Sequence, residues 1–236
     1  MQKPELLNNI THKDLRVVTH RGAAWGDAVM SAPATPDEFC RLQAHYPIVF
    51  QQAADGQFQA LVLFGLQDGE NLFLNDDGAD GWNAAYLPLA MQRAPFVIGV
   101  AENELRMMVD MGSARISTGA EGEAVFLPQG GNTEFLERAN SVLKALHEGL
   151  QAASEFTQAL VAHDLLEPFV LEVERPDGTQ GRLVGLHTIN EERLAALDAH
   201  TIGLLHQADY LQPIYMAVAS MSNLHALIQR HLAREA

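Results

Sequence analysis

Residues 47–66 read PIVFQQAADGQFQALVLFGL. Two runs rich in β-branched and aromatic residues flank Asp55-Gly56, and an Asp-Gly pair between such runs is a strong hairpin signal. A third run, NLFL (71–74), follows a second Asp-Gly in QDGE (67–70). Downstream, PFVIGV (95–100) and ELRMMVD (104–110) read as another hairpin joined through AENE. Upstream, DLRVV (14–18) and AVMSA (28–32) read as strands. TPDEF (35–39) reads as a capping box, with Thr35 as N-cap, Pro36 at the first helical position and Glu38 reaching back. The helix it starts runs to about Tyr46, where Pro47 ends it. The first half is therefore predicted as an antiparallel β-meander carrying a short helix.

The second half reads as mainly helical. From Thr133, apolar residues recur at Phe135, Ala139, Val142, Leu146, Ala153, Phe156 and Leu160, the spacing of an amphipathic helix or helix pair. Gly149 inside it marks a candidate break. Residues 168–189, PFVLEVERPDGTQGRLVGLHTI, read as one β-hairpin turning at PDG. Asn190 is the expected cap of a helix over 191–207. A last helix from about Leu211 to Arg234 places Ile214, Val218, Met221, His225, Ile228 and Leu232 on one face. The prediction is one α+β domain over 1–236, with a candidate subdomain joint in the Gly- and Ser-rich stretch 111–132.

Fifteen basic residues against 30 acidic ones give a net charge of −15. Such a balance excludes nucleic acid and anionic membrane as general partners, because both need a basic surface. Cys40 is the only cysteine, so no intrachain disulfide or thiolate cluster can form. Its place in PDEFCRLQAHY predicts a buried, inert thiol on an amphipathic helix. The first residues, MQKPELLNNITHKDLRVV, show no apolar export segment. The longest apolar runs, such as ALVLFG, fall far short of the roughly 18 residues a membrane span needs. A cytoplasmic location without membrane insertion is the expectation.

Motif chemistry is sparse. Ten histidines include no zinc-type spacing, and NDDGAD (75–80) lacks the phasing and closing Glu of a calcium loop, so no metal is expected. SMSN (220–223) offers a serine without a nucleophile elbow. No glycine-rich phosphate loop is present, so no cofactor is expected.

The richest stretch is 69–96, GENLFLNDDGADGWNAAYLPLAMQRAPF. If residues 83–92 are helical, Trp82, Tyr86 and Arg93 share a face. There an arginine beside aromatic rings can clamp a carboxylate or a partner. Asn71 could add a paired donor and acceptor, and Glu70 a carboxylate. The competing reading is architectural: Trp82 and Tyr86 plug a sheet edge while Arg93 pairs with an acid.

Six motifs resemble, in order, the SapC family: YPIVF (46–50), GENLFL (69–74), W…YLPLAMQRAPF (82–96), LLEP (165–168), INEERLAAL (189–197) and YLQPIYMAVASMSNLHALIQR (210–230). The resemblance spans about residues 15 to 232. It implies a link to surface-layer proteins through the family's name. It also implies genomic neighbourhoods with TonB-dependent receptors and halogenase-like enzymes. It supplies no catalytic residues. The chain departs from the family pattern at Glu70, at Ala94 and at Val218–Met221. It also carries Asp164 and Asp209 where glycine is expected at helix ends, positions that favour a left-handed residue.

The leading functional expectation is a cytoplasmic accessory or binding protein for a peptide, a protein partner or a small metabolite, with a homo-oligomer left open. The alternatives are an enzyme with a dispersed site, including Glu70, Arg93 and His45, and a structural component of a surface layer.

Overall fold

The computed structural model describes residues 3–75, 80–101, 104–174 and 180–235. Residues 76–79 within the expected hairpin tip NDDGAD (75–80), the centre of the AENE turn and the PDG turn lie outside the described residues. In chain order the elements are β1 (Pro4–Leu6), β2 (Arg16–Val17), β3 (Ser31–Pro33), α1 (Phe39–Leu42), β4 (Ile48–Gln52), β5 (Phe58–Leu63), α2 (Leu89–Gln92), β6 (Phe96–Ala101) and β7 (Glu104–Asp110). They continue with β8 (Ile116–Ser117), β9 (Glu123–Ala124), α3 (Glu134–Ala162), β10 (Leu166–Glu174), β11 (Gln180–Ile189), α4 (Glu191–Ala195), α5 (Ala199–Gln207), α6 (Leu211–Ser220) and α7 (Asn223–Glu235). The protein is α+β, and every strand pairing among the described residues is antiparallel.

Two compact units divide the chain. The first holds Met1–Ala28, Phe73–Asn83 and Leu89–Glu148, and the second Val29–Leu72, Ala84–Pro88 and Gly149–Ala236. Residues 111–132, the expected joint, belong wholly to the first unit. They contribute β8 and β9, which flank β2 in a small sheet. Gly122 permits this pairing: its φ is 85°, and a Cβ there would stand 2.5 Å from the Val17 carbonyl oxygen. The other sheet of this unit has the order β1-β7-β6. Its core is Leu15, Val17, Phe96, Val109, Val125 and Phe126, closed by Leu136, Ala139 and Leu143 from α3. Those three are spaced three and four apart, one face of a helix.

In the second unit the sheet order is β10-β11-β4-β5-β3. The Asp55-Gly56 hairpin forms as expected, with Gly56 at φ 84° and Ile48 opposite Val62. The second Asp-Gly does not make a hairpin, and NLFL is not a strand. Instead the chain turns back, and the Leu72 N–H reaches the Phe64 carbonyl at 2.8 Å. Helix α6 packs on β4, β11 and α1. Phe39, Tyr46, Phe50, Phe64, Phe156 and Ile214 are all 0% exposed in this core.

Several element boundaries differ from expectation. Helical structure after Thr35 is a single 3-10 turn (Pro36–Glu38) followed by the four residues of α1. The Thr35 hydroxyl donates to the Glu38 carboxylate at 3.2 Å instead of capping backbone. Helix α3 is unbroken through Gly149, where a Cβ would come within 2.7 Å of the Thr35 side chain; the glycine serves close approach. Asn190 does cap α4 through the Arg193 N–H at 2.8 Å. Asp198 then starts α5 anew by accepting from Thr201 N–H, and that hydrogen bond holds its carboxyl below the ordinary value. The expected last helix is two, α6 and α7, divided at Met221–Ser222.

Candidate functional site

The elbow at 69–96 is built from the residues singled out in the sequence, but on a different frame. Only Leu89–Gln92 is helical there. Pro88 explains this, because a proline disfavours helix at the residue before it. Trp82, Tyr86 and Arg93 therefore do not share a helix face. Trp82 pairs with Leu74 through an isolated bridge and stacks on Phe73 with centroids 6.0 Å apart. Arg93 donates to the Phe96 carbonyl at 3.2 Å, and its burial lowers its pKa.

Glu70 and Asn71 sit in the second unit, both buried. One Glu70 carboxylate oxygen accepts from the Leu66 N–H at 2.8 Å, and the other meets His231 Nδ1 of α7 at 2.8 Å. Glycine is required at position 65, since a Cβ there would lie 2.5 Å from the Glu70 carbonyl oxygen. Arg230 and Arg234 of α7 donate to the Leu72 and Asn71 carbonyls at 3.1 and 3.3 Å. Glu70 thus pairs with His231, while His45 lies edge-on to Tyr46.

Tyr86 is half-buried. Its phenol donates to Glu38 at 2.9 Å, its carbonyl accepts from the Tyr46 hydroxyl, and the exposed Arg41 guanidinium stands 5.6 Å over its ring. Burial, followed by the Glu38 charge, pushes the Tyr86 pKa up.

No sequence motif marks one concave feature of the second unit. A cavity of about 300 Å³ is lined by residues from the turn before α1, the second half of α3, and the junction of α5 with α6. Phe156 and Tyr210 meet edge to face in its wall, with centroids 5.3 Å apart, beside Pro213 and Met216. Asp37, Asp209, Gln212 and Cys40 are among its lining residues. Cys40 is exposed, which overturns the expectation of a buried thiol. The reason is the short α1: Phe39 and Leu42 take the core side, leaving Cys40 outward, where the Gln212 amide donates to its sulfur at 3.1 Å.

One of the cavity's lining residues, Asp209, is a position where the family resemblance expects glycine. Asp164 and Asp209, the residues standing where glycine was expected, adopt φ of 55° and 59°. Both follow helices that close with i to i−5 hydrogen bonds, Leu165 N–H to Leu160 and Tyr210 N–H to Leu205, at 2.9 Å each. Aspartate therefore accepts the left-handed geometry of a Schellman ending. Asp164 is ion-paired with Arg193 at 3.4 Å. Among the described residues the Asp37 and Asp209 carboxylates have no hydrogen-bond or ion-pair partner.

Ser220 is 0% exposed and structural: it accepts from the Ile48 N–H at 2.9 Å and donates to the Ala217 carbonyl at 2.5 Å. Among the described residues no group of three His, Cys, Asp or Glu side chains is placed to hold a metal ion. Nor is any helix there long and apolar enough to cross a membrane. Comparison with curated proteins and with solved structures found no match. The SapC family model matches residues 7–227, and the chain belongs to the SapC family.

Proposed function

We propose that this SapC-family chain is a cytoplasmic accessory protein that binds a small metabolite or the side chain of a peptide. The observation that carries this reading is the cavity of about 300 Å³ whose lining brings Tyr210 and Met216 together with Asp37, Cys40 and Gln212 from separate stretches of the second unit. That composition, apolar surface with a few placed polar groups, is how ligand pockets are built. Glu70 and Asn71 support the reading from another direction, since their contacts with α7 give them an architectural task. We assign Tyr86, with Arg41 over its ring, to contact with a protein partner. The lone thiol of Cys40 suits a reducing compartment.

Ala152 tests the cavity, because it lines the space from a solvent-exposed position of α3. Ala152→Trp fills the cavity without touching the core. Binding of small metabolites and tripeptides, screened by ligand-observed NMR, is expected for the wild-type chain and lost in this variant at unchanged circular dichroism. Undiminished binding by the variant contradicts the assignment.

A further inference from the structure

We infer that the chain self-associates through the free edge of β6, two copies pairing antiparallel about Gly99 so that their β1-β7-β6 sheets join. That strand order leaves β6 with a single neighbouring strand among the described residues. The other edges are blunted. Pro4 in β1, Pro33 in β3 and Pro168 in β10 each lack an N–H to offer a ladder. Strands β8 and β9 are two residues each. Strand β6 reads FVIGVA, with neither proline nor charge. An apolar edge of that kind is a template for another strand.

The ladder fixes which of its groups are free. The Asp110 N–H reaches the Pro95 carbonyl at 3.0 Å, and hydrogen-bonded pairs alternate in an antiparallel ladder. Val97 and Gly99 therefore turn their backbone groups to β7, while Phe96, Ile98 and Val100 turn theirs outward. Arg93 already serves Phe96: the Phe96 N–H donates to the Arg93 carbonyl at 2.8 Å, and its carbonyl accepts from the Arg93 guanidinium at 3.2 Å. Ile98 and Val100 have no backbone partner on that side among the described residues. A two-fold axis at Gly99 sets Ile98 of each copy opposite Val100 of the other, each pair exchanging both its N–H to carbonyl bonds. No other antiparallel register pairs both free residues of both copies.

Side chains favour the same register. Val100 is 73% exposed and its cross-strand neighbour Leu105 57%, although both stand on the face that Phe96 and Val109 bury. Ile98 of the second copy would cover Val100, and aliphatic cross-strand pairs stabilise a sheet. At the axis Gly99 carries no side chain, and Met108 of β7 lies against it. Arg106 and Glu104, beside the strand, pair with each other at 2.6 Å. An uncharged, self-matching edge selects a second copy over a charged peptide.

Sedimentation equilibrium of the full chain from about 10 μM to about 1 mM, the range for an interface below standard size, tests this. A monomer–dimer equilibrium is expected. It should tighten as salt rises, because each copy carries −15 and screening relieves their repulsion. Val100→Pro removes an outward N–H from each copy and spares the β6–β7 ladder, so it should weaken the dimer about tenfold or more. Val100→Lys, which keeps that N–H and sets a charge on the edge, should weaken it comparably and decides the matter if the proline variant fails to fold. Leu204→Lys, at an exposed leucine of α5, should leave the dimer unchanged. Hydrogen exchange at the Ile98 and Val100 amides should slow as protein concentration rises. A dimer that a folded Val100 variant leaves intact overturns the inference. A chain that stays monomeric throughout also overturns it, and leaves the edge to a strand of another protein.

Discussion

Among the described residues, Asp27 anchors a buried charge cluster. It is 2% exposed, between Arg115 at 1% and Arg21 at 8%. Arg115 donates to the Val18 and His20 carbonyls at 2.8 and 2.9 Å and to Asp27, which also accepts from the Gly22 N–H at 2.9 Å. Two guanidinium groups share one carboxylate, so burial and then the neighbouring Arg115 charge lower the Arg21 pKa to about 10. Asp27→Ala would leave both cations without that counter-charge. We expect it to cost about 3–5 kcal/mol in urea denaturation; a cost under about 1 kcal/mol would show that the carbonyls alone suffice. Asp164 makes the opposite prediction. A left-handed non-glycine residue is strained by about 1–2 kcal/mol, less for aspartate, and its partner Arg193 is exposed and screened. Asp164→Gly should therefore raise the melting temperature by roughly 2–4 °C, and a lower value would mean the ion pair outweighs the backbone. Both left-handed positions were marked by the family resemblance, which expects glycine there, and aspartate takes the left-handed geometry in its place. The Asp27 cluster was not, since Arg115 lies far along the chain from the residues it clamps.

At the scale of elements, short-range chemistry read well. The Asp55-Gly56 turn, the β6–β7 and β10–β11 pairings and the Asn190 cap all depend on residues near one another in the chain. What failed was the extent of elements. Pro88 confines helix to Leu89–Gln92, and Asp198 restarts a helix that apolar periodicity had run together. Gly149 shows the competing principle most clearly. Helix propensity favours Ala over Gly by about 1 kcal/mol, so Gly149→Ala on an isolated helix would stabilise. Here the added Cβ would meet Thr35 atoms at 2.7–2.9 Å, and Thr35 is 1% exposed with its hydroxyl engaged by Glu38. We expect Gly149→Ala to destabilise by about 1–3 kcal/mol, the range for overpacking. A gain in stability would show that Thr35 yields freely.

At the scale of the whole molecule, the sheet of the second unit joins β4, from the first half of the sequence, to β11 in the second, with His187 opposite Phe50. No local pattern announces such a pairing, and the cavity beside Phe156 shares that origin: its lining runs from Pro36 to Met216. In the elbow at 69–96, the richest stretch to the eye, Arg93 donates to the Phe96 carbonyl and Glu70 meets His231. The residues that meet in space at the cavity were scattered and plain in sequence. Amide chemical-shift mapping of the full chain during titration with the small metabolites and tripeptides of the binding screen tests this account most directly. It predicts shifts concentrated at Asp37, Cys40, Phe156, Asp209, Tyr210 and Met216, saturating together; shifts elsewhere, or none at all, would contradict it.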